Sequence, residues 1–188
     1  MLEPRLAEAK EGKRQVYFLD AAHFIYGVFL STKWSNERLF IKSSPGRRRF
    51  NFLGALNAVS NLVVEVNNLT TINAWSLVEI FQKLRDKHPG EKITIFLDNA
   101  PYQRCYVSQI AANMSAIELE YLPPYSPNLN LIERVWKFIR GKCLNSKHYQ
   151  NFQEFCQEIK DCVEGFSTRF KEEVSTLLTW NFQTFKTF

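Results

Sequence analysis

Two short apolar runs, each closed by an aspartate, constrain this chain more than any other feature: Val16-Tyr17-Phe18-Leu19-Asp20 and Ile93-Thr94-Ile95-Phe96-Leu97-Asp98. Runs of this length and composition read as buried strands. A carboxylate at the end of a buried strand is costly unless it is hydrogen-bonded, paired or bound to a metal. One such aspartate is an ordinary turn or helix-cap residue. Two at equivalent strand ends carry more weight. If the strands lie side by side, both carboxylates project into one pocket, where sheets of this kind place ligands. Their repulsion then favours a divalent cation, and all-oxygen donors select Mg²⁺ or Mn²⁺.

Further strands are predicted over residues 24–30, 50–60 and 62–69, with a turn at 57–61. Residues 71–87 place Ile72, Trp75, Leu77, Val78, Phe81 and Leu84 at helical spacing, and His88-Pro89-Gly90 stops them. A helix is predicted over 102–114, a short strand over 117–122, and helices over 130–143 and 152–163. Between the last strand and the next helix, Pro123-Pro124-Tyr125-Ser126-Pro127 is a stiff connector, since each proline fixes φ and removes a donor. Early hairpins followed by alternating strands and helices predict an α/β fold with a mixed sheet covered by helices. The expected organisation is a lead-in at 1–14, a domain at 15–165 carrying a basic loop at 32–49, and a helical tail at 166–188.

The chain has 188 residues, 45% of them apolar and 16 of them Phe, which suffices for the core of one domain. It contains no apolar stretch long enough for a transmembrane helix. Residues 1–14 are charged and lack the apolar centre of a secretory signal, so the cytoplasm is the expected compartment. Cys105, Cys143, Cys156 and Cys162 form no CxxC pair, which argues for reduced thiols rather than a zinc site. A net charge of +5 is compatible with a polyanionic partner. Its densest run is Arg47-Arg48-Arg49, preceded by Lys33, Arg38 and Lys42. That loop is either a solvated surface or a contact for DNA phosphates or a second subunit, with Trp34 and Phe40 able to stack or dock.

A third carboxylate is Glu133. On its predicted helix it shares a side with Trp136, Lys137 and Arg140, three, four and seven residues on. Such a face could hold a metal near its start and DNA phosphates further along. Equally, Glu133 and Lys137 have the spacing of an ordinary surface ion pair. The helix pattern alone leaves both readings open.

Three blocks resemble the bacterial insertion-sequence transposases of the mariner-related superfamily, specifically the insertion sequence 630 family with its acidic-triad (DDE) endonuclease domain. They are Val16-Tyr17-Phe18-Leu19-Asp20-Ala21-Ala22-His23-Phe24, Ile95-Phe96-Leu97-Asp98-Asn99-Ala100, and Leu122-Pro123-Pro124-Tyr125-Ser126-Pro127-Asn128-Leu129-Asn130-Leu131-Ile132-Glu133-Arg134-Val135-Trp136. Between Asp98 and Glu133 lie 34 residues, the spacing of that family's triad. Ser43-Ser44-Pro45-Gly46-Arg47 and Leu53-Gly54-Ala55-Leu56 add supporting similarity.

The resemblance implies an RNase H-like fold with a mixed five-stranded sheet and helices on both faces. It implies Asp20, Asp98 and Glu133 as catalytic metal ligands for two Mg²⁺ or Mn²⁺ ions, with Asp20 bridging. It also implies cleavage at transposon ends followed by strand transfer into target DNA. Asn99 could orient a ligand or shape its turn, and His23 could support Asp20 or be locally structural. Relatives often carry His at the position of Gln103 and Glu at that of Ala21. Double-stranded DNA is the expected partner, contacted by Arg47, Arg48, Arg49, Lys137 and Arg140, and a homodimer is implied.

Relatives also carry helix-turn-helix modules ahead of the first catalytic strand, and few residues precede it here. End recognition is therefore expected from a separate polypeptide, with this chain a split-gene product, a truncated copy or an excised domain. It would associate with the nucleoid when acting on DNA. The rival readings are a silent remnant that regulates by binding DNA or a full-length partner, and a structure-specific RNase H-like nuclease.

Overall fold

The structure, a computed structural model, describes residues 2–27, 47–123, 129–145 and 147–180. Its strands are β1 (Gln15–Ile25), β2 (Arg49–Asn57), β3 (Val63–Asn68), β4 (Ile93–Leu97) and β5 (Ile117–Tyr121). Its helices are α1 (Leu2–Lys10), α2 (Ala74–Lys87), α3 (Pro101–Arg104), α4 (Tyr106–Met114), α5 (Ile132–Ile139), α6 (Phe152–Glu164) and α7 (Lys171–Leu177), with a π-helical turn at Arg140–Leu144 that continues α5. The strands form one sheet in the order β3-β2-β1-β4-β5. β1 is central, antiparallel to β2 and parallel to β4, while β5 runs parallel to β4.

The alternation of side chains along β1 builds two cores. Val16, Phe18, Ala22 and Phe24 join a core with α1, α5, α6 and α7, whereas Tyr17 and Leu19 join a second with α2 and α4. Asp20 falls, by the same alternation, on the α5 side. The expected mixed five-stranded sheet with helices on both faces is present.

Several element boundaries differ from the sequence reading. Of the strand expected over 24–30, Phe24 and Ile25 are instead the end of β1, which runs unbroken to Ile25, and residues 28–30 lie outside the described residues. Ala21, Ala22 and His23 look like a break, yet antiparallel pairing with Leu53, Phe52 and Asn51 carries the strand through them. The helix expected over 102–114 is broken at Cys105, whose backbone is extended. The Ser108 hydroxyl donates to the Tyr102 carbonyl at 2.6 Å, and the Ala100 N–H donates to Gln103 Oε1 at 3.3 Å, so side chains stabilise the break.

The described residues of the lead-in and of the tail, up to 180, pack into the same core as the domain between them. Leu6 and Ala9 of α1 are buried in the first core, as are Phe166, Val174 and Leu178 near the C-terminal end. Arg5 anchors α1 to β5 through Glu118 and Glu120, and the Trp180 indole donates to the Ala58 carbonyl at 3.1 Å. Among the four free cysteines, Cys143 and Cys162 are buried. The loop residues Lys33, Trp34, Arg38, Phe40 and Lys42, the prolines Pro124 and Pro127, and the tail beyond 180 lie outside the described residues. No helix among the described residues is long and apolar enough to cross a membrane.

Candidate active site

Asp20 sits in the middle of β1 rather than at its end. What ends there is the parallel pairing with β4, whose last partners are Leu19 and Leu97. The next residues on the two strands are Asp20 and Asp98, so the register sets the aspartates side by side, with Asp98 exposed just past β4. Where β4 stops, the β1 backbone needs another partner. The buried Asn130 supplies one, its Nδ2 donating to the Leu19 carbonyl at 3.2 Å. This bond ties the start of α5 to the strand one residue before Asp20.

α5 lies across β1 and β2, burying Ile132, Val135, Trp136 and Ile139. Gly54 is the β2 partner of Asp20, and it makes this approach possible. A Cβ at position 54 would stand 2.7 Å from Cη2 and Cζ2 of Trp136 and 3.0 Å from Ile132 Cδ1. The same indole packs edge-on against Phe24, with centroids 6.3 Å apart.

Asp20, Glu133, Trp136, Lys137, Arg140, Gly141 and Asn145 line one open cleft of about 480 Å³. The four α5-side residues grouped from their spacing therefore do share a face, although Trp136 is almost wholly buried. Burial pushes the Asp20 carboxyl up to about 7, and Asp98 and Glu133 push in the same direction; the Ala21 N–H and the Trp136 indole act against them. Glu133 is raised too, first by burial and then by Asp98, against Arg140. Thus the cation that acts on Glu133 is Arg140 rather than Lys137. Burial and then Asp98 and Asp20 also raise Tyr102, to about 12, with Gln103 acting against them.

The three carboxylates consequently feel one another, with Asp20 and Glu133 lining the cleft and Asp98 outside its lining. Among the described residues, however, no three His, Cys, Asp or Glu side chains close around one point as a finished coordination sphere. The donor chemistry nonetheless fits a hard divalent cation: three carboxylates from three elements, one of them with its charge disfavoured by burial.

Other residues named from the sequence make the following contacts. His23 lies on the opposite sheet face, where its Nδ1 bonds Asn51 Oδ1 at 2.7 Å, so its contacts are those of a locally structural residue. Both ends of the Asn99 amide shape the turn after Asp98: Nδ2 donates to the Leu122 carbonyl at 2.8 Å, and Oδ1 accepts from Arg104. Gln103 is fully buried in the α3 cap. Arg47, Arg48 and Arg49 are exposed at the far end of the β1–β2 ribbon, and Arg48 stands over the Phe152 ring at 5.5 Å. Arg140 stands over Phe24 at 5.6 Å.

Gly54, Asn130 and Tyr102 were not singled out from sequence as parts of this site. A glycine inside a strand does signal close backbone approach, and that signal was available for Gly54.

A mixed β3-β2-β1-β4-β5 sheet with helices on both faces and an acidic cleft over its central strand defines an RNase H-like domain. The sequence matches the DDE superfamily endonuclease family over residues 15–156, and the chain belongs to that family. Its fold resembles the Mos1 transposase in a paired-end complex with the left transposon end (TM-score 0.61, 15% identity, covering 96% of this chain and 61% of that one). It also resembles the Mos1 mariner paired-end complex with Mn (TM-score 0.59, 14% identity, covering 95% and 60%). A curated relative is the uncharacterized protein y4pE/y4sA of Sinorhizobium fredii, 31% identical over 78 residues, which are 42% of this chain and 53% of that protein. The chain thus spans between half and two thirds of the length of these relatives.

Proposed function

We propose that this domain is the catalytic core of a DNA transposase, cutting DNA at element ends and joining the freed 3′ ends to target DNA. The observation that supports it most is that Asp20 and Glu133 line one cleft with Lys137 and Arg140, while Asp98, just past β4, raises the carboxyls of both. Asp20, Asp98 and Glu133 are the ligands assigned to Mg²⁺ or Mn²⁺, and the Mos1 complex with Mn is consistent with divalent-metal use. When bound, two ions would activate the attacking oxygen and stabilise the leaving 3′ oxygen.

The protein's own residues hold and orient. Asp20, fixed on the sheet and acted on by both other carboxylates, would help hold the ions. Asp98, just past β4, and Glu133, on α5, would each help hold an ion. Cutting is the attack of water on a phosphorus with release of a 3′-hydroxyl. Joining is the attack of that hydroxyl on a target phosphorus, with release of a 3′-hydroxyl of the target strand. Both need the same in-line arrangement, so one site serves both.

Lys137 and Arg140 are placed to hold phosphates beside the carboxylates. Lys160, over Phe50 at 5.7 Å, and Arg48 continue the basic character on the same side of the sheet, since the rings beneath these cations belong to the α5-side core or pack against it. Recognition of specific DNA ends is assigned to segments or polypeptides beyond this domain, and a homodimer, acting on two ends, is the assembly we favour.

The test is cleavage of double-stranded DNA with exposed or pre-nicked ends, in Mg²⁺ or Mn²⁺, by the wild type and by Asp98→Asn. The proposal expects metal-dependent cleavage that the variant loses. Cleavage that needs no metal and survives the substitution would refute it.

A further inference from the structure

Among the described residues, Trp136 Nε1 and Asn130 Oδ1 are buried beside Asp20 without a hydrogen bond of ordinary geometry, and the indole N–H is already close enough to Asp20 to hold its carboxyl down. A buried donor without an acceptor costs free energy, so a tryptophan held in this way needs a reason. Trp136 cannot easily move to find one. Its ring is 2% exposed, wedged against Phe24 and Phe52 and pressed over Gly54. Gly54 is the cross-strand partner of Asp20, and the indole lines the same cleft as the Asp20 carboxylate.

We propose that Trp136 is a positioning residue for Asp20: its indole N–H, already turned toward the carboxylate, tightens into a full hydrogen bond to one oxygen when the site takes up a divalent cation and leaves the other oxygen for the ion. The inference rests on the metal-site reading above.

The chemistry suits the task. An indole N–H is a donor only, so it cannot compete for the cation. A donor to a charged carboxylate makes a stronger bond than one to a neutral acceptor, so the contact gains most when Asp20 is ionised. Trp136 also stands one helical turn after Glu133. The packing that locates Glu133 therefore fixes the donor that orients Asp20, and one helix sets two of the three carboxylates. Asn130 completes the arrangement by holding the Leu19 carbonyl just before Asp20.

Trp136→Phe keeps most of the ring and removes the N–H. We expect calorimetric titration of the metal-free protein with Mn²⁺ to give an apparent Kd raised roughly tenfold or more in this variant, the usual effect of losing a group that orients a ligand. The pH at which half the Mn²⁺ affinity is lost should also move upward. Trp75→Phe, at a 71% exposed position, should change neither quantity. An unaltered Kd and pH profile in Trp136→Phe would overturn the proposal.

If that variant does not fold, the indole N–H resonance of Trp136 in the wild type decides. It should shift on titration with Mg²⁺, and an unmoved resonance would overturn the proposal. Asp20→Asn separates the two layers. If it abolishes Mn²⁺ binding while Trp136→Phe leaves the Kd and pH profile unaltered, the positioning role alone fails. If the wild type binds no Mn²⁺, the metal-site reading fails and takes this role with it.

Discussion

The indole of Trp136 occupies the space that a side chain at position 54 would need. The clash distance of 2.7 Å involves ring atoms of a fully packed residue, so neither partner can simply swing aside. Gly54→Ala should push α5 away from β1 and β2, destabilising the fold by about 1–3 kcal/mol and separating Glu133 from Asp20. Urea unfolding and metal-dependent DNA cleavage should both decline. An active, equally stable Gly54→Ala would show that the close helix–sheet approach is not needed.

Asp20 makes the metal-free fold sensitive to pH. Its carboxyl rises from 3.8 to about 7 on folding, chiefly through burial. The folded chain therefore holds this proton more tightly than the unfolded one. The contribution is complete below the unfolded value, is lost as pH rises through the window from about 4 to 7, and levels off above it. Its size is at most on the order of 4 kcal/mol. Asp20→Asn should remove this loss, so the variant should gain stability over the metal-free wild type as pH rises from 5 to 8. Thermal unfolding of both proteins across that range measures the difference. A gap that stays constant or shrinks would contradict the assignment.

Arg85 offers a structural control away from the cleft. Its guanidinium donates to the carbonyls of Ser115, His88, Glu91 and Ala116, at 2.7–2.9 Å, clamping the end of α2 to the turn that leads into β5. Arg85→Ala should cost about 2 kcal/mol in urea unfolding, because some of these carbonyls lose partners they cannot replace with water. Its response to Mg²⁺ should match that of the wild type at a temperature where both are folded.

Lys137 and Arg140 should act as phosphate contacts rather than metal ligands. Replacing Arg140 with Ala should weaken DNA binding similarly for all sequences. It should also lower the slope of log affinity against log salt by about 1. An unchanged slope with weakened binding would point to loss of its packing over Phe24 instead.

Much of this was legible in the sequence because the strongest signals are local. The apolar runs closed by Asp20 and Asp98 gave two strands, and their parallel register brought the two residues together. The spacing of Glu133, Trp136, Lys137 and Arg140 gave one helix side. What pattern could not supply was long-range pairing. The run of Ala21, Ala22 and His23 is weak strand by propensity, and only its β2 partners show that β1 continues. Likewise His23 resembled a neighbour of Asp20 in sequence, whereas strand alternation turns it to the other face. Gly54 and Asn130 gained meaning only when a helix distant in sequence, and the strand it crosses, were placed against them. The packing of α1 and α7 was hidden for the same reason, since short segments with few apolar residues carry little periodicity.

The central claim is that Asp20, Asp98 and Glu133 together hold divalent metal. Its most direct test is thermal unfolding at pH 8 with increasing Mg²⁺ or Mn²⁺, for the wild type, Asp20→Asn, Asp98→Asn and Glu133→Gln. The claim expects the wild-type midpoint to climb with metal concentration, as linkage requires of a ligand bound by the folded state, and the climb to be reduced or lost in each variant. A wild type indifferent to both ions, or variants that respond as the wild type does, would contradict it.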